Sequence, residues 1–272
     1  MLFSPQILAR AKSASNPFPG AGPTAAAFLA RTSGLDSTHI AAYIALLNGF
    51  DADSLTAKLD AAYALATQDS TTALLNLVSS SFTAATSGSP AFTIDRGFTG
   101  VESSTTVFIE TGFNATVGSP NFTKNSGHIS AFSVTNVSSG SPIMGIGNSG
   151  GNDELTVWPK FSGDNNAYFR VNAATGVNVA NSVGSGHYHA ARSGASSLQG
   201  YKNGSQIVTG SPTAVNIQNK TVLLLGQNNT LGPPSGSQYQ CAFASIGNIT
   251  GSTDVANFNT RVRTFLTALG VP

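Results

Sequence analysis

A predicted β-hairpin in the last third of the chain constrains the fold most. Residues 199–208 form two short strand patterns joined by Asn203-Gly204. Asn-Gly tolerates positive φ at both central positions of a two-residue turn, and such a turn holds its two strands antiparallel. Two further short apolar strands are predicted at residues 221–226 and 241–247. The last third of the chain is therefore expected to contain an antiparallel sheet.

An amphipathic helix is predicted after these strands, at residues 254–269. Apolar side chains recur there at three- and four-residue spacing and share one helical face: Val255, Phe258, Val262, Phe265, Leu266 and Leu269. The order of hairpin, strand and closing helix resembles the end of a concanavalin-like or laminin-G-like β-sandwich. That resemblance implies a lectin-type domain. Such domains bind, cover and connect more often than they catalyse, although some glycosidases share the fold.

The middle of the chain has the pattern of short strands separated by Gly, Ser, Asn and Pro. The predicted strands are residues 91–95, 106–110, 128–136, 142–147, 154–161, 167–172 and 187–192. Short β-rich segments at this spacing are typical of an antiparallel sandwich. Residues 81–272 are therefore predicted to form a mainly β, antiparallel, concanavalin-like (jelly-roll) sandwich.

The N-terminal segment is predicted to be an attachment arm. Residues 16–23 are rich in Pro and Gly, which favours an extended chain, and residues 23–31 are Ala-rich and helix-prone. Residues 1–33 are assigned to this arm. Residues 1–30 are expected to contact another chain instead of packing on their own globule.

Residues 34–80 are predicted to be a small helical region. Asp36 is expected to cap a helix that Gly49 ends, because Asp accepts hydrogen bonds at N-caps and Gly is common just past a C-terminus. Two further helices are predicted, one from residue 53 or 54 to 66 and one over 70–78.

Four motifs at this junction resemble a module of tailed-bacteriophage and prophage structural proteins. They lie in order at residues 58–69, 73–78, 89–93 and 95–100. With the closing hairpin and helix, the resemblance covers residues 35–270. It implies a virion protein, made in the bacterial host cytoplasm, that displays a lectin-like sandwich as part of a fibre, spike or surface decoration.

The same resemblance implies the partners. Other virion proteins would contact residues 1–30, and the chain would self-associate, with a trimer as the preferred state.

The alternative function is a carbohydrate-binding adhesin that recognises host surface glycans, and the third and least favoured function is a glycan hydrolase. No legible signal peptide begins the sequence, which accords with synthesis in a cytoplasm.

Composition argues against several other classes of function. Charged residues make up 9% of the chain and the net charge is +1, so neither nucleic-acid binding nor attachment to a charged membrane surface is expected. No apolar run reaches the roughly 18 residues of a membrane span. A single cysteine, Cys241, excludes an internal disulfide and is predicted to be a buried thiol.

Aromatic residues supply the candidate carbohydrate site. Trp158, Tyr168, Tyr188 and Tyr201 can stack on sugar rings if the fold exposes them. Packing inside the sandwich is the alternative for each, because all four lie within strand patterns.

The candidate metal ligands are few. His187 and His189 are two residues apart on a predicted strand, so both imidazoles face one side, a spacing that is usable for zinc. A zinc site would need a third ligand, and an ordinary polar sheet face is the alternative. Asp153 and Asp164 carry oxygens suited to calcium, but Asx residues also favour simple hydrated turns. No cofactor is predicted.

The sequence gives no support for catalysis. A retaining glycosidase needs two carboxylates about 5–5.5 Å apart, and no strand carries an alternating pair of acids. Asp153 and Glu154 are adjacent and would point to opposite sides of a strand. The chain is therefore predicted not to be an enzyme.

Overall fold

The structure is a computed structural model that describes residues 17–147 and 154–272. Its helices are α1 (Pro23–Leu29), α2 (Ser37–Ala52), α3 (Ser70–Ala73) and α4 (Ser252–Ala268), with a 3-10 turn at Thr56–Lys58. None of the described helices is long and apolar enough to cross a membrane.

The strands are numbered in chain order. They are β1 (Leu59–Ala64), β2 (Ala85–Ser87), β3 (Ala91–Thr93), β4 (Gly97–Thr99), β5 (Phe108–Glu110), β6 (Gly127–Ser133), β7 (Met144–Gly147), β8 (Glu154–Trp158), β9 (Asn166–Ala173), β10 (Val177–Ala180), β11 (Gly186–Gly194), β12 (Ser197–Lys202), β13 (Ser205–Gly210), β14 (Leu223–Leu224), β15 (Gly226–Asn229), β16 (Ser235–Gly236) and β17 (Gln240–Gly247).

Two sheets face each other as a sandwich. The first has the order β13-β12-β11-β6-β17-β4-β3, with β1 paired to β17. The second has the order β10-β9-β8-β7-β14-β5-β2, with β15 and β16 beside it. Among the described strands, the pairs are antiparallel except for one short parallel pairing of β15 with β7. The predicted mainly β antiparallel sandwich is confirmed.

Side-chain alternation divides the central strands of the first sheet, β11, β6 and β17, between two cores. On β6, Ile129 and Ala131 belong to the core between the sheets, whereas Phe132 packs under the helices. The centre of the first sheet is therefore buried on both faces, which explains why every residue of β6 is buried.

The helices α1, α2 and α4 form a layer on the outer face of the first sheet. The ring of Phe28 lies 4.7 Å from that of Tyr43, and Tyr43 lies 5.1 Å from Phe265. Phe50 stacks on Phe258 at 5.1 Å. The predicted apolar face of the last helix is confirmed, because all six of its apolar side chains are buried.

The predicted hairpin is also confirmed. Strands β12 and β13 pair across Asn203 and Gly204, whose φ angles are +51° and +80°. Asn-Gly predicts a two-residue hairpin turn because both residues tolerate the positive φ that such a turn requires.

The predicted cap of α2 is confirmed, but its predicted end is not. Asp36 accepts a hydrogen bond from the backbone N–H of His39 at 2.9 Å. The helix continues past Gly49 to Ala52. A Cβ at Gly49 would lie 2.6 Å from Cδ of Arg261, so this glycine admits the close approach of α4 and does not end the helix.

Two of the predicted helices are wrong in whole or in part. Within residues 53–66, Thr56–Lys58 form a 3-10 turn and Leu59–Ala64 form strand β1, because this strand pairs with β17 and buries both of its faces. Residues 70–78 form only the one-turn helix α3, which Asp69 caps. Since β1 belongs to the first sheet, the sandwich does not begin at residue 81.

The arm prediction is wrong for the part of residues 1–33 that forms α1. Ala25, Phe28 and Leu29 are buried in the helical layer of this chain, so α1 packs on its own globule. Pro23 lies in the first turn of α1. Proline is tolerated there because a backbone N–H at that position would have no hydrogen-bond partner within the helix. Residues 1–16 lie outside the described part of the chain.

Candidate functional site

The outer face of the second sheet carries a pocket on strands β8 and β9. On β8, Leu155 and Val157 enter the core between the sheets, so Glu154 and Trp158 face outward. On β9, Phe169 likewise belongs to the core. The two strands pair side by side, and the helical layer lies on the other sheet.

Outward-facing residues of β9 complete one wall of the pocket. Tyr168 is paired with Trp158 and Arg170 with Thr156, so the strand register places all four side chains next to one another. The pocket has a volume of about 280 Å³. Its lining residues are Glu154, Trp158, Phe161, Tyr168, Arg170 and Gln227.

Three aromatic rings form one side of this pocket. Trp158, Phe161 and Tyr168 meet edge to face, with ring centroids 5.7 to 6.3 Å apart. Such contacts hold aromatic rings in fixed orientations. Trp158 is 8% exposed, whereas Phe161 and Tyr168 are half-buried, so the cluster presents ring surface to the pocket.

A charged pair lies beside these rings. Arg170 makes an ion pair with Glu154. The guanidinium carbon lies 5.4 Å from the ring centroid of Trp158 and 5.9 Å from that of Tyr168. Burial lowers the pKa of Arg170 from its ordinary value. The ion pair and the two rings together fix the direction in which the guanidinium points.

Several buried polar atoms here have no hydrogen-bond partner. They are Nε1 of Trp158, Oγ1 of Thr156, Nε of Arg170 and Oε1 of Gln227. Buried polar groups are normally hydrogen-bonded, so unpaired donors and acceptors beside a pocket are candidates for bonding to a ligand or a water. The site thus offers both kinds of group beside an aromatic surface.

A glycine makes room for Gln227. A Cβ at Gly147 would lie 2.4 Å from Cδ of Gln227, so any larger residue there would displace that side chain. Strand β7 can therefore bring its backbone against the carboxamide. Gln227 is held by a hydrogen bond that its Nε2 donates to Oδ1 of Asn229 at 2.8 Å.

Asp164 supports the pocket and has the contacts of a turn residue. The hydroxyl of Tyr168 donates a hydrogen bond to Oδ2 of Asp164 at 2.6 Å, and the backbone N–H of Asn166 donates to Oδ1 at 2.9 Å. The hydrogen bond from Tyr168 raises the pKa of its phenol. Asp153, the other proposed calcium ligand, lies outside the described residues.

Tyr188 and Tyr201 lie away from the pocket. Tyr188 is buried between the sheets, where its hydroxyl donates a hydrogen bond to the carbonyl of Val183 at 2.7 Å. Tyr201 is buried under the helical layer and meets His189 edge to face at 5.9 Å. Neither ring is available for stacking on a ligand, so both were wrongly predicted as binding residues.

His187 and His189 are buried together beneath α4, with His128 beside them. His128 and His189 stack at 4.6 Å, and Nε2 of His189 lies 2.8 Å from the carbonyl oxygen of Ile249. Nδ1 of His187 lies 3.2 Å from Oδ1 of Asn259. Over residues 17–147 and 154–272, no group of three or more His, Cys, Asp or Glu side chains is arranged to hold a metal ion.

Cys241 is fully buried on β17. Burial raises the pKa of its thiol to about 12, so the side chain remains an uncharged thiol at neutral pH. This is the packed thiol that the sequence predicted.

Sequence reasoning found two of the six pocket residues and missed four. The alternation of Glu154, Thr156 and Trp158 with Leu155 and Val157 was a usable signal, because it places the first three on one face. Three of the missed residues, Phe161, Arg170 and Gln227, join the pocket from the segment after β8, from β9 and from β15. Only the pairing of distant strands reveals these neighbours.

Neither a protein-family model nor a curated protein matches the chain. Solved structures do match its fold. One is Trypanosoma rangeli sialidase, at 10% identity and a TM-score of 0.53, covering 81% of this chain and 38% of the sialidase chain. Another is botulinum neurotoxin type C, whose cell entry depends on interaction with two ganglioside molecules. That match has 12% identity and a TM-score of 0.52, and covers 76% of this chain and 52% of the toxin chain.

A third similar structure is domain 4 of an extracellular arabinanase from Geobacillus stearothermophilus, solved in complex with arabinotriose. It is 14% identical, with a TM-score of 0.49, and the match covers 74% of this chain and 98% of that domain. The sialidase and toxin matches define the class of fold: the chain is a lectin-like β-sandwich. The chain spans about two fifths of the sialidase and half of the toxin.

Proposed function

We propose that this chain is a carbohydrate-binding module whose ligand site is the pocket on β8 and β9. The observation that supports it best is the combination of aromatic rings with unpaired buried polar atoms around one cavity. Sugars present apolar C–H faces and a rim of hydroxyls. An aromatic surface flanked by fixed hydrogen-bond donors and acceptors is complementary to both.

Different pocket residues are proposed to contact different parts of the sugar. Trp158, Phe161 and Tyr168 supply ring surface for the C–H face of a sugar. The indole N–H of Trp158 donates to a hydroxyl, and Oε1 of Gln227 accepts from one. A volume of about 280 Å³ is at the lower end for small-ligand sites, so the pocket suits one sugar unit of a larger glycan.

The module is proposed to bind without hydrolysing. Glu154 is the one carboxylate among the residues that line the pocket, and it is paired with Arg170. Glycoside hydrolysis normally uses two carboxylates with separate roles.

Binding is tested on an array of capsular, lipopolysaccharide and cell-wall oligosaccharides, followed by titration of the best ligand. Tyr168→Ala should weaken binding by about tenfold or more, which is about 1.4 kcal/mol, because stacking area is lost. Trp158→Phe keeps an aromatic ring and loses only the N–H donor, so its loss should be smaller.

Phe92→Ala is the matched control. Phe92 is also a half-buried aromatic residue, but it lies on β3 of the first sheet and packs on Phe98 at 4.9 Å. Its removal should leave affinity unchanged while lowering the melting temperature. Equal loss of affinity in the Phe92 and Tyr168 variants would count against the pocket, and no ligand on the array would count against the function.

A second part of the proposal concerns where the module acts. The four motifs at residues 58–100 favour display on a tailed-phage particle, anchored by the N-terminal residues and assembled as a trimer. Because α1 packs on the globule, the proposed anchoring segment is limited to residues 1–16.

A chain lacking residues 1–16 should fold and bind glycan but fail to join the particle. Its normal incorporation would contradict the anchor, and light scattering near 27.7 kDa at every concentration would contradict the trimer.

A further inference from the structure

The charges at the pocket cancel each other. Arg170 is the one cation among the lining residues and Glu154 the one anion, and the two form an ion pair. The Glu154 side chain is 7% exposed and that of Arg170 is 22% exposed. Nearly all of the carboxylate is thus shielded from water, and its charge depends on Arg170 for compensation.

The pair has little freedom to separate. The guanidinium lies against the rings of Trp158 and Tyr168, and Glu154 is on the neighbouring strand. An acidic sugar would have to draw Arg170 away from Glu154 and leave a buried carboxylate without a counterion. The carboxylate of Asp164, which accepts the hydrogen bond from Tyr168, adds a further negative charge nearby.

An uncharged sugar meets no such obstacle. Its hydroxyls can accept from Nε of Arg170 and from the indole N–H of Trp158 while the ion pair stays intact. Hydrogen bonds to charged groups are stronger than those between neutral groups, so an intact pair remains useful to a neutral ligand.

We infer that the pocket selects uncharged sugar units and rejects sugars that carry a carboxylate, with the Arg170–Glu154 pair as the determinant. This inference rests on the proposed function. The fold alone would allow acidic ligands, because similarity of fold does not determine the ligand. The Arg170–Glu154 pair is what excludes them from this pocket.

The test uses matched probes and the full chain. Neutral disaccharides (lactose, maltose, cellobiose and mannobiose) are compared by calorimetric titration with the same disaccharides oxidised to the uronic acid at C6. The expected result is at least about tenfold tighter binding of a neutral member than of its acidic counterpart. Affinity for the neutral sugar should also stay constant between about 0.02 M and about 0.5 M salt, since no net charge is paired on binding.

Glu154→Gln then tests the determinant. It removes the charge but keeps the shape, so Arg170 becomes uncompensated and the preference should move toward the acidic probe by about tenfold. Asp254→Asn is the matched control, because Asp254 also forms an ion pair, with Lys58, but on α4. This control should keep the preference of the parent.

The outcomes separate the two claims. Tighter binding of the acidic probe by the parent protein would overturn the selection of neutral sugars while leaving glycan binding intact. The salt series and the matched probes give this answer on the parent even if Glu154→Gln does not fold. Absence of binding to every probe, together with an array without ligands, would overturn the proposed function itself.

Discussion

At the scale of single residues, a side chain's partners decide its role. Trp158 and Tyr188 are both aromatic residues on strands, yet the first lines a pocket and the second packs between the sheets. His39 and His189 differ in the same way. His39 lies between two carboxylates, whereas His189 lies among other buried rings. The two histidines therefore respond to pH in opposite directions.

His39 is predicted to stabilise the fold at lower pH. Its ring nitrogens lie 2.8 Å from Oδ1 of Asp36 and 2.8 Å from Oδ1 of Asp95. Burial lowers the pKa of His39, but the hydrogen bonds and charges of Asp95 and Asp36 outweigh it and raise that pKa above its ordinary value. The contribution is therefore complete below a pH of about 6.5 and is lost as pH rises through the raised pKa.

The measurement is urea unfolding of the parent and of His39→Gln over a pH series. Between pH of about 6.5 and about 8.5 the parent should lose free energy of unfolding, whereas the variant should show a flatter profile. Parallel profiles in this range would show that His39 is not protonated in the fold.

At the scale of elements, α4 carries much of the packing on the first sheet. Phe258 contacts Phe50 on α2 and Phe243 on β17, and it also meets His128 and His189. One side chain thus joins two helices to the sheet. Loss of this ring would leave a cavity at the centre of the helical layer.

Phe258→Ala should lower the free energy of unfolding by about 3–5 kcal/mol, the usual cost of removing a buried aromatic ring. Phe258→Asp should give unfolded or insoluble protein, because it also buries a charge. Thr260→Ala is the control on the exposed side of the same helix and should change stability little. A parent-like melting temperature for Phe258→Ala would contradict the docking of α4.

At the scale of the whole molecule, the three buried histidines beneath α4 make the fold sensitive to acid. Burial lowers the pKa of His187 to about 4 and that of His189 to about 3. Burial and repulsion from His189 hold the pKa of His128 well below its ordinary value. Arg263 adds repulsion at His187. Between these lowered pKa values and the ordinary value of about 6.5, the three rings are neutral in the folded protein but protonated in the unfolded chain.

The contribution of these three rings to stability should therefore be complete above a pH of about 6.5. It should fall as the pH drops below that value, since the unfolded chain binds up to three extra protons. Each proton contributes about 1.4 kcal/mol per pH unit to the slope. Unfolding free energies measured from pH of about 6.5 to about 5 check this slope. His187→Asn should reduce it by one proton whatever its effect on stability, and an unchanged slope would contradict the prediction.

The sequence alone determined the features that depend on local geometry. The turn at Asn203-Gly204, the cap at Asp36 and the apolar face of α4 were predictable, because each follows from allowed φ angles, one nearby hydrogen bond or helical periodicity. Most of the short strands were predictable for the same reason, as their boundaries are marked by turn-forming residues.

Only the tertiary structure decided what depends on contacts between distant residues. Strand β1 has a sequence that also suits a helix, and its pairing with β17, more than 170 residues later, settles its conformation. The same is true of the candidate site. Alternation shows which side chains share a face, but the face that the helices cover is set by where α1, α2 and α4 pack. That packing buries Tyr201, leaves Tyr168 at a pocket and brings Arg170 to Glu154, because burial and pairing are properties of the assembled sandwich.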